Sequence, residues 1–360
     1  MSSDVNTGPR IEPRTVADFH AAARDRLDEV YYDFYAGGAR DEITLRSNEN
    51  ALEKLRLLPR ILSGSDKREH RTTLLGTELS MPILLSPTAF HRLAHPDGEF
   101  ATARAAAAAG TVMIVSNAAT SAIEDIAAAA PTATLWFQLY LQPEPRITDA
   151  LVRRAEDAGA RALVVTVDSP VFGRRERDDR HNFHDLPPGM HAENMRGLTG
   201  DPDQVRPIGM SAEFSWADVD RLRSITALPV LLKGVLHPAD AVLAVGHGVA
   251  GLLVSNHGGR QLDGAPATIE ALPEIAAAVA GAIPLIMDGG IRRGTDVVKA
   301  LALGATAVGI GRAPLWGLAV DGEAGVRAVL ELLRAEFDDA LALCGAASPR
   351  ELTPDLVRSY

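Results

Sequence analysis

A base and a fixed cation lie three residues apart in the segment GLLVSNHGGRQLDG, residues 251–264. The apolar run 251–254 predicts a buried strand, and His257 and Arg260 follow it in a glycine-rich loop. Histidine accepts a proton near neutral pH, and arginine offers a planar fork that binds a carboxylate. The pair predicts a site that holds an anionic organic acid and removes a proton from it.

The predicted base needs a partner for its second ring nitrogen. Asp168 follows another strand-like run, 162–168, and is the carboxylate we expect beside His257. Lys233 lies one residue before the end of the run PVLLKG, where it is either a cation near a developing negative charge or a salt-bridged structural residue. A Schiff-base lysine is a further alternative for Lys233.

Two glycine-rich segments that open predicted helices are typical of a phosphate site. They are DGGIRRG, residues 288–294, and GIGR, residues 309–312. Glycines let backbone N–H groups approach an anion, a helix N-terminus adds partial positive charge, and Arg292 or Arg312 supplies a fork.

From residue 81 onward, apolar strand-like runs alternate with alanine-rich helical runs. The predicted strands are 81–87, 112–116, 134–140, 162–168, 229–234, 251–256, 284–290 and 307–311. The predicted helices lie near 98–109, 121–130, 146–158, 216–226, 238–246, 268–280, 294–303 and 321–344. Eight such repeats favour a (β/α)8 TIM barrel over a doubly wound open sheet, and the polar strand ends would then converge on one face.

Residues 1–360 are predicted to form a single domain, with residues 1–70 as an N-terminal helical extension. The segment 173–215 interrupts the alternation after the fourth strand and is rich in arginine, proline and glycine. A connection of this length is usually functional or disordered, so we expect a lid over the barrel mouth, with a flexible insertion as the alternative.

Composition excludes several classes of function. The net charge of −11 argues against a nucleic-acid partner. Cys344 is the only cysteine, so an internal disulfide is impossible and a reducing compartment is expected. The sequence shows neither a signal-peptide core nor a membrane-length apolar run, so we predict a cytoplasmic protein without a membrane partner. We also predict no metal site.

Eight motifs carry a resemblance to the FMN-dependent 2-hydroxy-acid oxidases and dehydrogenases, which include glycolate oxidase, lactate oxidase and mandelate dehydrogenase. The motifs are YDFYAGGA, PTAFHRLAHPDGE, WFQLY, TVDSPVFGRRERD, VLLKGVL, SNHGGRQLDG, DGGIRRGTDVVKALALGA and GIGR, and the resemblance extends over roughly residues 15–345. The resemblance implies FMN as the cofactor. It also implies a homotetramer.

The resemblance assigns roles to individual residues. It implies that the flavin ring is lined by Pro87, Thr88 and Ala89 and contacted by Ser116, Gln138, Thr166 and Ser255. Lys233 would stabilise the anionic reduced ring. The ribityl phosphate would be held by Asp288, Gly289, Gly290, Arg292, Gly311 and Arg312.

The same resemblance implies the reaction. His257 would be the base, steadied by Asp168, while Arg260 and Arg175 bind the substrate carboxylate and Tyr140 hydrogen-bonds the substrate oxygen. An L-2-hydroxy acid would become the 2-keto acid. Whether His257 takes the carbon-bound or the hydroxyl proton stays open. Ala89, together with the missing haem domain and membrane anchor, favours oxygen as the electron acceptor and hydrogen peroxide as its product.

Two positions depart from the family pattern. Phe34 stands where the family often has a tyrosine, and Ala118 stands where glycolate oxidases carry a tryptophan. The less polar, roomier pocket predicts an aryl or other bulky substrate of the mandelate or 4-hydroxymandelate type. The alternatives are a lactate oxidase-like enzyme, a tailoring enzyme that oxidises a modified peptide or natural-product intermediate, and, least favoured, a non-redox phosphate-binding barrel.

Overall fold

The computed structural model describes residues 13–64, 67–198 and 200–359. Its strands are β1 (Leu55–Leu57), β2 (Thr72–Leu74), β3 (Thr77–Leu79), β4 (Ile83–Leu85), β5 (Val112–Val115), β6 (Thr134–Leu139), β7 (Leu163–Thr166), β8 (Val230–Val235), β9 (Gly251–Val254), β10 (Leu285–Asp288), β11 (Ala307–Ile310) and β12 (Val357–Ser359).

Its α-helices are α1 (Val16–Arg24), α2 (Glu29–Ala36), α3 (Ile43–Lys54), α4 (Gly98–Ala109), α5 (Ile123–Ala129), α6 (Pro145–Asp157), α7 (Glu176–Arg180), α8 (Trp216–Ser224), α9 (Pro238–Gly246), α10 (Thr268–Val279), α11 (Gly294–Ala302) and α12 (Arg312–Cys344). Helix α12 is kinked at Asp321 and Gly322, where the backbone leaves helical geometry. The sequence predicted only the part after this kink.

Strands β4 to β11 form a closed parallel barrel, and β11 pairs with β4 to complete it. The predicted (β/α)8 barrel is therefore confirmed, and each of the eight predicted strands is present. Most of these strands are buried along their whole length, which explains why they read as continuous apolar runs rather than alternating ones.

The interior of the barrel is a packed core that leaves only one end open. Ile114, Trp136 and Leu253 belong to an interior cluster, and Leu74 and Leu79 of the β2–β3 hairpin join it. The hairpin therefore covers the amino-terminal end of the barrel. Because side chains alternate along a strand, residues two or four positions after these interior residues face the opposite, open end.

The N-terminal helices and the segment 173–215 complete the molecule. Helices α1 and α4 pack against α12, and β1 pairs with β12 in an antiparallel ribbon. The segment 173–215 contains α7 and a bridge between Arg196 and Val205. No helix in the described part of the chain is long and apolar enough to cross a membrane.

Candidate active site

A deep cleft opens at the carboxyl-terminal end of the barrel. Its wall contains every predicted site residue except Asp168 and Ser255, namely Phe34, Pro87, Thr88, Ala89, Ser116, Ala118, Gln138, Tyr140, Thr166, Arg175, Lys233, His257, Arg260, Asp288, Gly289, Gly290, Arg292, Gly311 and Arg312. The two exceptions lie directly behind the wall. Asp168 contacts His257, and the Ser255 hydroxyl accepts the backbone N–H of His257 at 3.1 Å. Ser255 therefore supports the histidine loop, and the flavin contact implied for it stays a prediction.

The predicted base and its partner meet as expected. His257 Nδ1 lies 2.9 Å from Asp168 Oδ1, so Nδ1–H donates to the carboxylate and Nε2 is left as the proton acceptor. Burial, reinforced by the positive charge of Lys233, lowers the pKa of His257 although Asp168 opposes this effect. Burial raises the pKa of Asp168, but His257 and Lys233 outweigh it and bring that pKa to about 2. At neutral pH the pair is therefore a neutral imidazole beside a carboxylate.

Lys233 is a buried cation that faces the cleft. It is 3% exposed, and its ammonium group makes no ion pair within residues 13–64, 67–198 and 200–359. Tyr140 also lines the cleft. Burial, followed by the charge of Asp168, raises the pKa of Tyr140, so its phenol stays protonated and able to donate. Both groups can act on a bound molecule.

Two guanidinium groups flank the ring of Phe34. The guanidinium carbon of Arg260 lies 5.1 Å from the ring centroid, and that of Arg175 lies 5.6 Å away. Burial, then the positive charges of Arg175 and Arg312, lowers the pKa of Arg260 well below its usual range. Asp178, which pairs with Arg175 Nε at 2.7 Å, compensates only part of this charge. The uncompensated positive charge of the cleft therefore favours the binding of an anion.

The C-terminal end of helix α2 holds two of these arginines. Arg260 donates to the carbonyl oxygens of Phe34 and Gly37 at 2.7 and 2.8 Å. Arg312 donates to the carbonyls of Tyr35 and Gly37, at 2.8 and 2.9 Å. The carbonyl end of a helix carries partial negative charge. The N-terminal extension thus stabilises two neighbouring cations of the cleft wall, and it does so through backbone atoms that no sequence motif identifies.

A series of hydrogen-bonded polar side chains lies in the cleft wall. The Gln138 amide donates to Thr166 Oγ1 at 3.0 Å and accepts from Ser116 Oγ at 3.1 Å. Alternation along the strands explains this grouping, because Ser116, Gln138 and Thr166 each lie two positions after an interior residue of the barrel. The predicted flavin-contacting residues are therefore contiguous in space.

The two glycine-rich segments meet at the predicted phosphate end. Gly289 and Gly290 adopt φ of 97° and 83°, which only glycine adopts readily. Gly311 caps the N-terminus of α12, whose first N–H groups lack intrahelical partners. Arg292 approaches from the other side and donates to Glu49 at 2.8 Å. This end presents the donor set that an anionic phosphate requires.

Flavin mononucleotide fits this arrangement of groups. Among the described residues, Lys233 is a buried cation without an ion-pair partner in the middle of the cleft, and Asp288 Oδ1 is a buried acceptor without a hydrogen-bond donor. A ring system with polar edges, joined to a hydroxylated chain and a phosphate, supplies a partner for each of these groups. The residues present are therefore suited to hold FMN.

The structure adds cleft residues that sequence reasoning missed. They are Tyr35, Ser86, Phe90, Phe172, Ile208, Gly258, Ile291, Gly309, Ile310 and Leu315. Strand alternation could have identified Ser86, which lies two residues after Leu84 of the barrel interior. Phe90 stacks on Phe34 with the ring centroids 5.7 Å apart, and no sequence signal predicted this contact. Phe172 and Ile208 are loop residues without a periodic pattern.

Comparisons with known proteins place the chain among flavoenzymes. Residues 23–359 match the protein-family model described as FMN-dependent dehydrogenase. Glycolate oxidase 3 of Arabidopsis thaliana is 47% identical over 352 residues, which cover 95% of each protein. 2-Hydroxyacid oxidase 2 of Rattus norvegicus is 47% identical over 345 residues, which cover 95% of this chain and 98% of the relative.

Solved structures agree with the sequence comparisons. The crystal structure of mandelate oxidase with benzoyl-formic acid superposes with a TM-score of 0.89 at 42% identity, covering 97% of this chain and 99% of that one. A mandelate oxidase variant with (S)-mandelic acid gives the same TM-score, identity and coverage.

Proposed function

Because the chain belongs to the FMN-dependent dehydrogenase family, we propose that it oxidises an L-2-hydroxy acid to the 2-keto acid and passes the electrons to oxygen. The substrate loses two protons and two electrons, and oxygen gains them as hydrogen peroxide, so the reaction balances. FMN, when bound, supplies the two-electron acceptor. The oriented imidazole of His257 beside the guanidinium groups of Arg260 and Arg175 is the observation that carries this proposal.

Each of these side chains has a separate task. Arg260 and Arg175 bind the substrate carboxylate, which relieves the mutual repulsion of the two cations. Tyr140 donates its hydroxyl hydrogen to a substrate oxygen. His257 Nε2 accepts a proton, and Asp168, 2.9 Å from Nδ1, stabilises the imidazolium that results.

We propose an aryl hydroxy acid of the mandelate or 4-hydroxymandelate type as the preferred substrate. Phe34 is the centre of an aromatic cluster in which Phe90 and Phe183 lie 5.7 and 5.3 Å from it between ring centroids. Ala118, on the same wall, leaves room that a larger residue would fill. An apolar ring gains more from this surface than the two-carbon glycolate does.

An anaerobic absorbance panel tests the proposal. The purified FMN-loaded protein is mixed with glycolate, L-lactate, both enantiomers of mandelate and 4-hydroxymandelate, and bleaching of the flavin band is followed. We expect the S enantiomers of the aryl acids to bleach the flavin fastest, and oxygen to restore the colour with release of hydrogen peroxide. A flavin that no L-2-hydroxy acid bleaches overturns the proposed reaction.

A variant that fills the cleft tests the substrate preference. Ala118→Trp places a large side chain where the wild type has a small one. We expect Ala118→Trp to reduce kcat/KM for mandelate at least about tenfold, with a smaller effect on glycolate, because only the larger substrate needs the space. Equal losses for both substrates contradict the assignment of Ala118 to the side-chain pocket.

Three broader proposals accompany this function. We propose that residues 1–360 are one domain in which 173–215 acts as a lid, since Arg175 and Ile208 from this segment contribute to the cleft wall. We also propose a homotetramer, tested by light scattering on the eluting protein. Last, we propose a cytoplasmic location, tested by fractionation, because a buried free thiol at Cys344 suits a reducing compartment.

A further inference from the structure

One buried imidazole near the cleft has no task in the proposed reaction. His91 is 3% exposed and begins the short turn His91–Leu93 beneath the cleft wall. Its Nε2 lies 2.6 Å from Oγ1 of Thr88, and Thr88 lines the cleft. His91 therefore acts on the cleft through the Thr88 hydroxyl.

The hydrogen-bond partners of His91 determine which way the hydrogens point. Thr102 Oγ1 donates its single hydrogen to the Gly98 carbonyl at 3.3 Å, as threonines in helices commonly do. It must then accept from Nδ1–H of His91, which lies 3.0 Å away. A neutral imidazole carries one N–H, so Nε2 is an acceptor and takes the hydrogen of Thr88.

The surroundings keep this imidazole neutral. Burial lowers the pKa of His91, and the nearby carboxylate of Glu99 and a hydrogen bond to the backbone of Thr88 oppose that effect only in part. Glu99 is engaged elsewhere: it accepts the backbone N–H of His91 at 3.1 Å and the hydroxyl of Thr120 at 2.7 Å. The ring nitrogens are thus left to the two threonines.

We propose that His91 is a positioning residue for the cofactor. His91 accepts the hydroxyl hydrogen of Thr88 in a hydrogen bond, so that Thr88 presents only acceptor lone pairs to the cleft. This inference rests on the proposed function and on the contact between the flavin ring and residues 87–89 that the family resemblance implies. Two-electron reduction of a flavin adds an N–H to the ring. An acceptor fixed in the wall stabilises the reduced cofactor more than the oxidised one, and so it raises the midpoint potential.

The test measures the midpoint potential of bound FMN and its dissociation constant from the apoprotein. His91→Leu removes the ring acceptor and frees Thr88 to donate, so we expect the preference for reduced over oxidised FMN to fall about fivefold. For a two-electron couple this corresponds to a potential lower by about 20 mV. His91→Gln is the rescue variant, because its amide oxygen accepts from Thr88 while its nitrogen donates to Thr102, and its potential should match that of the wild type.

The same substitution in a Thr88→Val background distinguishes a positioning role of His91 from general damage to the structure. In Thr88→Val the hydroxyl is absent, so His91→Leu should no longer change the potential. A shift of equal size in that background, or no shift in either, overturns the inference. These readouts need only bound FMN, whereas failure of the proposed function appears as an absence of bleaching by every hydroxy acid.

Variants at Thr88 keep the inference testable if His91→Leu does not fold. Thr88→Val should lower the potential by about the same amount, because it removes the acceptor from the wall. Thr88→Ser retains the hydroxyl and should keep the wild-type potential. Equal potentials in Thr88→Val and Thr88→Ser overturn the role given to this hydroxyl.

Discussion

His257 occupies a backbone conformation that few residues other than glycine adopt. Its φ is 59°, and the Ser255 hydroxyl and Asp168 hold it there through bonds to its backbone N–H and its ring. Conformations of this kind are costly and persist where the surrounding contacts enforce them, which happens frequently in active sites. The strain is consistent with a ring held at one angle over the cleft.

His257→Asn should remove the proton acceptor and leave the rest of the site intact. Asparagine tolerates left-handed backbone, so we expect the variant to retain FMN with a normal spectrum. Flavin reduction by the best hydroxy acid should slow by about a hundredfold or more, because no group replaces the proton acceptor. Anaerobic stopped-flow absorbance measures this rate, and reduction at the wild-type rate would show that another residue is the base.

Asp168→Asn should alter both the rate and the pH profile. Asp168 raises the pKa of His257 against the lowering effect of burial. Removing its charge lowers that pKa further, so the acid limb of kcat/KM should move to lower pH than in the wild type, where it already lies below 6.5. The maximal rate should fall about a thousandfold, since the imidazolium loses its counter-charge. A limb that moves to higher pH contradicts this assignment.

At the scale of elements, the glycine loop after β9 packs tightly on the start of helix α3. Gly259 has φ of 75°, and a Cβ at this position would lie 2.5 Å from the backbone nitrogen of Leu45. Gly264, in the same segment, has φ of 88°, but a Cβ there would meet no atom within 4 Å. Both glycines therefore need a left-handed backbone conformation, but only Gly259 is also closely packed.

The variants Gly259→Ala and Gly264→Ala separate these two effects. Each should lose stability through its left-handed φ, by about 1 kcal/mol. Gly259→Ala should lose more and should also raise KM for the hydroxy acid, because the loop displaced from α3 carries Arg260. Thermal unfolding and steady-state kinetics measure both. Equal losses of stability would show that the contact with Leu45 relaxes without cost.

At the scale of the whole molecule, an ion-pair cluster fastens the segment after β1 to helix α12. Arg68 donates to both oxygens of Asp338 at 2.7 Å, and His70 Nε2 lies 2.6 Å from Oδ1. The hydrogen bonds from Arg68 lead the causes that bring the pKa of Asp338 to about 2. Because the folded-state pKa lies below the ordinary value of 3.8, this stabilisation is present above pH 3.8 and is lost as pH falls through 2.

Asp338→Asn should lower Tm by about 1–2 °C at neutral pH, since the cluster is partly exposed and its net contribution is modest. The difference from the wild type should shrink as pH falls below about 4, and FMN affinity should not change. Asp339→Asn, one residue along the same helix and exposed, is the control and should lower Tm less, because Asp339 acts on Arg68 through its charge alone. A Tm difference that grows on acidification would contradict the assignment.

The sequence alone determined the order and type of the barrel elements, and it identified most of the cleft wall. Apolar runs of strand length, alternating with helical runs, reflect burial on both faces of each strand. Because side chains alternate along a strand, Ser116, Gln138 and Thr166 lie at the same end of the barrel, independently of how the helices pack around it. His257 and Arg260 were recognisable because their types and spacing carry the chemistry by themselves.

Only the tertiary structure decided how distant segments meet. It assigned Ser255 to the support of a loop and placed the carbonyls of Phe34 and Gly37 on Arg260. Such contacts join residues far apart in the chain through backbone atoms or loop side chains, which carry no periodic pattern. Their positions depend on how the barrel closes and how the N-terminal helices dock on it, and neither is encoded in any local stretch of sequence.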